Sequence, residues 1–153
     1  MASVTRSRFL QADPGAVERA ITDDVEAFVE AAGYDSVSVR DDRFEVERRL
    51  GLATLSLTLR AVDDDATLAF EQESGLFEEL SMRYSVEETA GGSELTAQTE
   101  FTLGGVAGSV LDETLVRRQR RRELDDQFDY VVHTLEGDGE GSDDVDSDGV
   151  ASP

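Results

Sequence analysis

Three polar residues stand out in this sequence because they occupy positions that periodicity otherwise gives to apolar side chains. Arg48, Gln72 and Thr99 each share a phase with apolar neighbours in segments that alternate with period two. A buried charge or amide needs a polar partner. These residues could bind the headgroup of a ligand, with Arg48 facing a carboxylate or phosphate. Alternatively, they could lie at strand ends or pair with acidic neighbours. We favour the second interpretation, because a fully buried arginine is rare without a partner.

Apolar residues of the same inward phase surround these positions. They could line a cavity for a hydrophobic molecule, or they could fill a core, which is the default for an apolar face. Met82 and Tyr84 are the stronger candidates for ligand contact, because one side chain is adaptable and the other carries a polar tip. The candidate wall consists of Leu55, Leu57, Leu59, Phe70, Met82, Tyr84, Phe101, Leu103 and Phe128.

An arginine-rich run, RRQRRR at 117–122, interrupts the last apolar segment. In a helix, Arg117 and Arg121 share a face with Leu124, which would place two guanidinium groups near the mouth of a cavity. Clustered guanidinium groups bind anions well. The alternative, which we favour, is a solvated face whose arginines pair with acidic residues three or four positions away. The candidate acidic partners are Asp112, Glu113, Asp125 and Asp126.

The sequence offers little other chemistry. It contains no cysteine, and His133 is its only histidine. A transition-metal site therefore has no second nitrogen or sulfur ligand of these types, and we interpret His133 as a surface or packed residue. Residues 144–149 match the first half of a calcium-binding loop, but the bidentate glutamate and the following helix are missing. We predict no catalytic residues, no metal and no cofactor.

The elements that must position these residues begin with a helical segment. Asp13 is a plausible N-cap, and Pro14 suits the first helical position because its missing N–H has no partner there in any case. Apolar residues then recur at helical spacing until Gly33. Residues 22–24, Thr-Asp-Asp, could cap the chain a second time, so the pattern allows either one helix or two kinked helices.

Between Gly33 and Gly104 the apolar period changes to two, which predicts about six strands. Turn residues separate them at 41–42, 63–65 and 91–92. Another strand precedes the first helix, at residues 4–10. Consecutive strands with short turns form an antiparallel meander with one apolar face and one wet face.

The last element predicted is a long, proline-free helix over 106–135, with an apolar stripe that begins at Ala107 and Val110. The single apolar face of the sheet must be covered mainly by this helix. The sequence therefore predicts an α+β helix-grip fold, in which a seven-stranded curved antiparallel sheet wraps around a long C-terminal helix. We expect one domain over 1–136 and a disordered acidic tail over 137–153.

The charge of the chain limits its partners. Its formal net charge is −21, from 35 acidic and 14 basic residues, and every basic residue is arginine. An acidic, lysine-free composition is typical of salt-in halophiles, where screening relieves the self-repulsion, and we interpret the chain as haloarchaeal. We expect no nucleic-acid partner, because nucleic acids are polyanions and would be repelled, as would anionic membranes. We also expect no stable membrane insertion, because no apolar stretch is long enough to span a bilayer. Residues 1–9 also lack the apolar core of a signal peptide, so we expect a cytoplasmic protein. We expect it to be a monomer or a weak homodimer.

The order of elements, together with the DPG opening at 13–15, the ERAITD segment at 18–23 and the LVRRQRRREL segment at 115–124, resembles the START-like (SRPBCC) superfamily. More narrowly, it is similar to the small polyketide cyclase/dehydrase and lipid transport group, which includes coenzyme Q-binding proteins. The resemblance extends from residue 4 to about residue 135. It implies a hydrophobic ligand held between the sheet and the last helix; a minority of such proteins are enzymes.

These observations leave three hypotheses for the function. The leading one is a non-enzymatic protein that binds or transports a hydrophobic or amphipathic small molecule, such as a lipid, an isoprenoid quinone or a polyketide-like compound. The second is a cyclase or dehydratase-type enzyme in which Tyr84 acts with an inward acid or with Arg48. The third is an interaction module, which a closed and fully packed interior would favour.

Overall fold

A computed structural model of the chain describes residues 1–105 and 111–140. It contains seven strands and three helices within that part of the chain. They are, in order, β1 (Ala2–Leu10), α1 (Pro14–Thr22), α2 (Val25–Glu30), β2 (Ser36–Arg40), β3 (Arg43–Leu50), β4 (Ala53–Ala61), β5 (Leu68–Ser74), β6 (Phe77–Thr89), β7 (Gly92–Leu103) and α3 (Glu113–Glu140). The predicted helix-grip architecture, with seven strands and a long C-terminal helix, is confirmed.

All seven strands form one antiparallel sheet in the order β1-β7-β6-β5-β4-β3-β2. The two short helices carry the chain from β1 across to β2 at the opposite edge, and the meander then returns it to β7, beside β1. Register shifts occur between Thr58 and Leu59 in β4 and between Phe77 and Glu79 in β6. Such irregularities bend the strands that carry them and increase the local twist, which helps the sheet to curve around α3.

The helical segment after β1 is broken in two, which decides between the two alternatives left open by the sequence. Pro14 opens α1, and α1 ends at Thr22. The side chain of Asp24 then accepts a hydrogen bond of 3.0 Å from the backbone N–H of Ala27, so Asp24 is the N-cap of α2. Phe28, in α2, is completely buried in the core.

The long helix α3 packs its apolar side chains against the inner face of the sheet, where Leu124, Phe128 and Val131 are buried. It also flanks the edge strand β1 with ion pairs at 2.8 Å between Arg6 and Asp125 and at 2.7 Å between Arg8 and Asp129. These ion pairs attach the edge strand β1 to α3.

The bounds of α3 differ from those predicted for the last helix. The described helix begins at Glu113, because the Asp112 side chain accepts a 2.7 Å hydrogen bond from the backbone N–H of Leu115 and acts as its N-cap. Residues 106–110, with the predicted stripe positions Ala107 and Val110, lie outside the described residues. At the other end, α3 continues to Glu140. The calcium-loop match and the rest of the predicted tail, from 141 onward, also lie outside the described residues.

We expect the free energy of unfolding to rise as potassium chloride is increased from about 0.1 M to about 1 M, which shortens the Debye length from about 10 Å to about 3 Å. Salt weakens exposed ion pairs such as Arg43–Glu73, but such pairs contribute little. The repulsion within a chain of net charge −21 is the larger effect. Urea unfolding at each salt concentration measures the change. Sucrose at matched osmolarity, which stabilises burial without screening charge, is the control; equal stabilisation by both solutes would contradict the expectation.

Candidate functional site

The candidate site is a small cavity between the inner face of the sheet and the N-terminal half of α3. Its volume is about 40 Å³, which leaves room for about one water molecule. Pockets for drug-sized ligands measure about 300 to 1,000 Å³, so a larger molecule could enter only if the surrounding side chains moved. The cavity is lined by Tyr34, Val46, Arg48, Leu50, Leu55, Leu57, Phe77, Leu80, Met82, Thr99, Phe101, Val116, Gln119, Arg120 and Glu123.

Arg120, on α3, is the centre of a buried polar cluster beside this cavity. It is only 5% exposed, in a region where most neighbours are apolar. Its Nε donates to Oγ1 of Thr99 on β7 at 2.6 Å, and its Nη2 donates to the hydroxyl oxygen of Tyr84 on β6 at 2.8 Å. The guanidinium group therefore ties α3 to the two longest strands of the sheet.

Glu123 lies one helical turn further along α3 and bridges two arginines. Its Oε1 accepts from Nη1 of Arg120 at 3.1 Å, and its Oε2 accepts from Nε of Arg48 at 3.1 Å. Gln119 adds a weaker contact, from Nε2 to Oε2 at 3.4 Å. Two separate elements, α3 and β3, thus place one carboxylate between two guanidinium groups.

Arg48 and Tyr84 extend the cluster towards the short helix α2. Nη2 of Arg48 donates to the carbonyl of Ala32 at 2.9 Å. The hydroxyl of Tyr84 donates to Oε1 of Gln127 at 2.8 Å, and Nε2 of Gln127 donates to the carbonyl of Phe28 at 3.0 Å. Every member of this chain of hydrogen bonds has a partner, as a buried polar network requires.

The electrostatics of the cluster keep Arg120 charged. Burial alone lowers the pKa of Arg120, but the neighbouring oxygens of Tyr84, Tyr34 and Glu123 raise the pKa by more, so it lies above the ordinary value. Burial, reinforced by the carboxylate of Glu123, raises the pKa of Tyr34 well above its ordinary value. The cluster therefore presents a permanent cation and a protonated phenol beside the cavity.

The structure brings six of the residues predicted as ligand-binding together around the cavity. They are Arg48, Leu55, Leu57, Met82, Thr99 and Phe101. Tyr84 lies outside the lining but is joined to it through Arg120. Arg48 has an acidic partner, which is one of the two arrangements that we favoured over ligand contact, although this partner, Glu123, comes from a distant part of the sequence.

Other predicted residues lie away from the cavity. Leu59, Phe70 and Phe128 fill the core, and Leu103 is partly buried against it. The ring of Phe70 packs edge-on against Phe44 with centroids 5.3 Å apart. The amide of Gln72 donates to the carbonyl of Phe77 at 2.9 Å, near the β5–β6 turn.

The predicted placement of two arginines at the cavity mouth needs correction. Arg117 pairs with Glu113 and donates to the carbonyl of Ser3, while Arg121 is exposed. The face of α3 that meets the sheet includes Arg120, Leu124 and Phe128 instead, and Arg121 is rotated about 100° from Arg120. The preferred solvated-face interpretation fits Arg117 and Arg121 but fails for Arg120.

Sequence reasoning missed Arg120, Glu123 and Gln127. A usable signal existed: these residues recur at spacings of three and four with Leu124 and Phe128, so they share the buried face. His133, interpreted as either a surface or a packed residue, is exposed, and Nδ1 lies 4.0 Å from the carboxylate of Glu136. Among the described residues no group of acidic or histidine side chains could hold a metal ion, and no helix could cross a membrane.

Comparisons with known proteins bear on the fold. No protein-family model and no curated protein sequence matches the chain. Solved structures do match: a protein from Thermus thermophilus is 14% identical with a TM-score of 0.70, covering 90% of this chain and 99% of that one. A START superfamily protein from Mycobacterium smegmatis is 9% identical with a TM-score of 0.59, covering 88% and 97% of the two chains.

An aromatase/cyclase provides a further match. The Zhui aromatase/cyclase from Streptomyces sp. R1128 is 13% identical with a TM-score of 0.62, covering 91% of this chain and 93% of that one. At such low identities the similarity concerns the fold alone, because one fold carries many functions. The chain therefore has the helix-grip fold that START superfamily proteins and aromatase/cyclases share.

Proposed function

We propose that the protein binds a hydrophobic or amphipathic small molecule, of the lipid, isoprenoid quinone or polyketide-like kind, between the sheet and α3. One observation carries the proposal: a cavity with mainly apolar walls has a buried charged cluster, Arg48, Arg120 and Glu123, in its lining. Small-molecule sites typically combine such walls with a few placed polar groups. A buried ion pair is often no more stabilising than apolar residues of the same size. Stability alone therefore does not account for this cluster, whereas recognition of a polar group on a ligand would.

Binding requires the interior to open, because the cavity measures only about 40 Å³. Two of the side chains that line the cavity can move aside most easily. Met82 is unbranched and can repack at low cost. Gln119 is partly exposed, and its 3.4 Å contact with Glu123 is the longest in the cluster. Entry of an apolar chain between them would leave the shorter hydrogen bonds of Arg120 in place.

The alternative function is a cyclase or dehydratase-type enzyme acting on a similar molecule, by analogy with the Zhui aromatase/cyclase. An acid–base role for Tyr84 would gain support from a carboxylate within hydrogen-bonding distance of its hydroxyl. In the described structure this hydroxyl donates to the amide of Gln127 and accepts from Arg120. Binding without chemistry is therefore the better-supported proposal, and recovery of chemically unchanged cargo would support it further.

Replacing Leu57, in the apolar wall, with asparagine is expected to weaken ligand binding roughly 10-fold, because an unpaired amide in an apolar site costs about 1 to 3 kcal/mol. The protein should be produced in a halophilic host and purified in high salt. Native mass spectrometry after exchange into a volatile salt, compared with the organic extract, measures the bound cargo. Leu52→Asn is the matched control, because Leu52 is fully exposed and does not line the cavity.

Circular dichroism establishes that each variant is folded before the bound mass is compared. A second variant, Val116→Phe, fills the cavity with an apolar ring and should also exclude cargo while avoiding the polar substitution. Cargo that survives both Leu57→Asn and Val116→Phe would place the binding site elsewhere. A wild-type protein that repeatedly carries no bound mass would contradict constitutive carriage and favour a transient substrate or a protein partner.

A further inference from the structure

The cavity wall carries an excess of positive charge inside a strongly negative protein. Among the described residues, the charged side chains in the lining are Arg48, Arg120 and Glu123, which together have a net charge of one positive unit. The whole chain has a formal net charge of −21. The excess cation is therefore a local feature of this cavity and does not follow from the composition of the protein.

Both arginines also retain hydrogen-bonding capacity. A guanidinium group carries five N–H donors. Within the described residues, three hydrogen bonds use the donors of Arg120 and two use those of Arg48. Arg120 is 5% exposed, so water can reach its remaining N–H groups only poorly. Every nitrogen of Arg120 already has one partner. What remains is a charge imbalance, since two guanidinium groups face one carboxylate, and an anionic group on a ligand would balance the second positive charge.

The arrangement of Glu123 shows which anion suits these guanidinium groups. Its two carboxylate oxygens lie 3.1 Å from Nη1 of Arg120 and 3.1 Å from Nε of Arg48. Each arginine gives one donor to this carboxylate, and a guanidinium group forms stronger hydrogen bonds with a charged acceptor than with a neutral hydroxyl. The site thus already accommodates one carboxylate, and its remaining charge balances one more.

We propose that the ligand is an amphipathic monocarboxylate whose carboxylate pairs with Arg48 and Arg120 and whose apolar chain occupies the space beside Leu57 and Met82. This inference rests on the proposed binding function and specifies the ligand class. Glu123 sets the selectivity, because it neutralises one arginine and leaves a single positive charge. A neutral alcohol with the same chain gains the apolar contacts but no charge-assisted hydrogen bond.

The test compares dodecanoate with dodecan-1-ol, which have the same chain and differ in the headgroup. Each displaces 1-aminoanthracene, a neutral fluorescent probe of apolar cavities, at pH 8 in about 1 M potassium chloride. We expect dodecanoate to bind roughly 10-fold more tightly than the alcohol, because hydrogen bonds between two charged groups are stronger than those to a neutral hydroxyl and salt removes only part of the difference. The quantity compared between variants is the ratio of the two affinities.

Two substitutions should shift this ratio in opposite directions. Arg48→Gln removes the excess charge and should bring the ratio close to one, whereas Glu123→Gln adds a second uncompensated charge and should increase it. Arg118→Gln is the control: Arg118 is exposed on α3 and does not line the cavity, so it changes the net charge equally and should leave the ratio unaltered. Thermal melts establish that each variant is folded. If one variant does not fold, the ratio of the two affinities in the wild-type protein still tests the carboxylate preference.

The outcomes separate the two proposals. If neither compound displaces the probe, or the probe does not bind, the proposed binding function fails and the inference fails with it. If both compounds displace the probe equally well in the wild-type protein, the binding function stands and the carboxylate preference is overturned. A carboxylate preference that persists unchanged in Arg48→Gln and Glu123→Gln would equally overturn the assignment to this cluster.

Discussion

Replacing Glu123 with leucine is expected to lower the free energy of unfolding by about 3 to 5 kcal/mol, the cost of breaking a buried ion pair on one side. The carboxylate of Glu123 compensates Arg120 and Arg48, and its side chain is only 7% exposed. Leucine matches its size but leaves the buried guanidinium group of Arg120 and the partly buried one of Arg48 without an anion. Urea unfolding at a fixed potassium chloride concentration of about 1 M measures the loss.

A matched control and a second substitution make this expectation specific. Glu136 is well exposed near the C-terminal end of α3, and Glu136→Leu should change the free energy of unfolding by about 0.5 kcal/mol or less. Adding Arg120→Met to Glu123→Leu removes the more deeply buried of the two arginine charges that have lost their carboxylate. The double variant should recover part of the lost free energy of unfolding, since the two residues are coupled. Equal, small effects of Glu123→Leu and Glu136→Leu would show that the cluster is effectively hydrated.

The free-energy cost of burying the cluster of Arg48, Arg120 and Glu123 has the same physical origin as the proposed role of the cluster in binding. Arg120 and Glu123 are stable in the core only because each oxygen and most of the N–H groups have partners. The charge that remains unbalanced weakens the folded protein and strengthens the binding of an anion that can balance it, and this binding in turn stabilises the folded state. A ligand carboxylate should therefore stabilise the wild-type protein more than it stabilises Arg48→Gln.

The fold could be predicted from the sequence because its elements depend on local patterns. Alternation with period two marked the strands of the meander. The predicted turns at 41–42 and 63–65 lie between strands in the structure, and the one at 91–92 overlaps the first residue of β7. The break at Asp24 was recognised as an alternative but could not be decided, since one or two helices place the same apolar residues on the same side. The hydrogen bond from the backbone N–H of Ala27 to the side chain of Asp24 shows that there are two helices.

The site was predictable only on the side that the sheet contributes. Arg48, Leu57 and Phe101 lie in strands, where a residue's face follows from counting by two. Arg120 and Glu123 lie in a helix rich in charges, where the same charged pattern is typical of a solvated surface. What distinguishes them is burial against strands that are distant in sequence, and this depends on how α3 docks. The small volume of the cavity also depends on packing, which periodicity does not reveal.

Replacing Phe28 with alanine is expected to cost about 3 to 5 kcal/mol of unfolding free energy, the range for deleting a buried aromatic ring. Phe28 has no exposed surface. Its ring meets that of Tyr84 edge-on with centroids 4.9 Å apart, and its carbonyl accepts the amide of Gln127. The side chain therefore holds α2 against the inner end of the polar cluster, and its loss leaves a void that the sheet cannot readily close.

Phe9→Ala is the matched control for this experiment, because it deletes the same ring from a side chain that is 52% exposed. We expect it to cost about 1 kcal/mol or less, since surface substitutions usually have small effects. The difference between the two variants in urea unfolding isolates the contribution of burial. The aromatic contact with Tyr84 can be separated further with Tyr84→Leu, because removal of Phe28 should then cost less than it does in the wild-type protein. Additive effects would show that α2 is held by the backbone hydrogen bond to Gln127 and general packing, independently of the pair of rings.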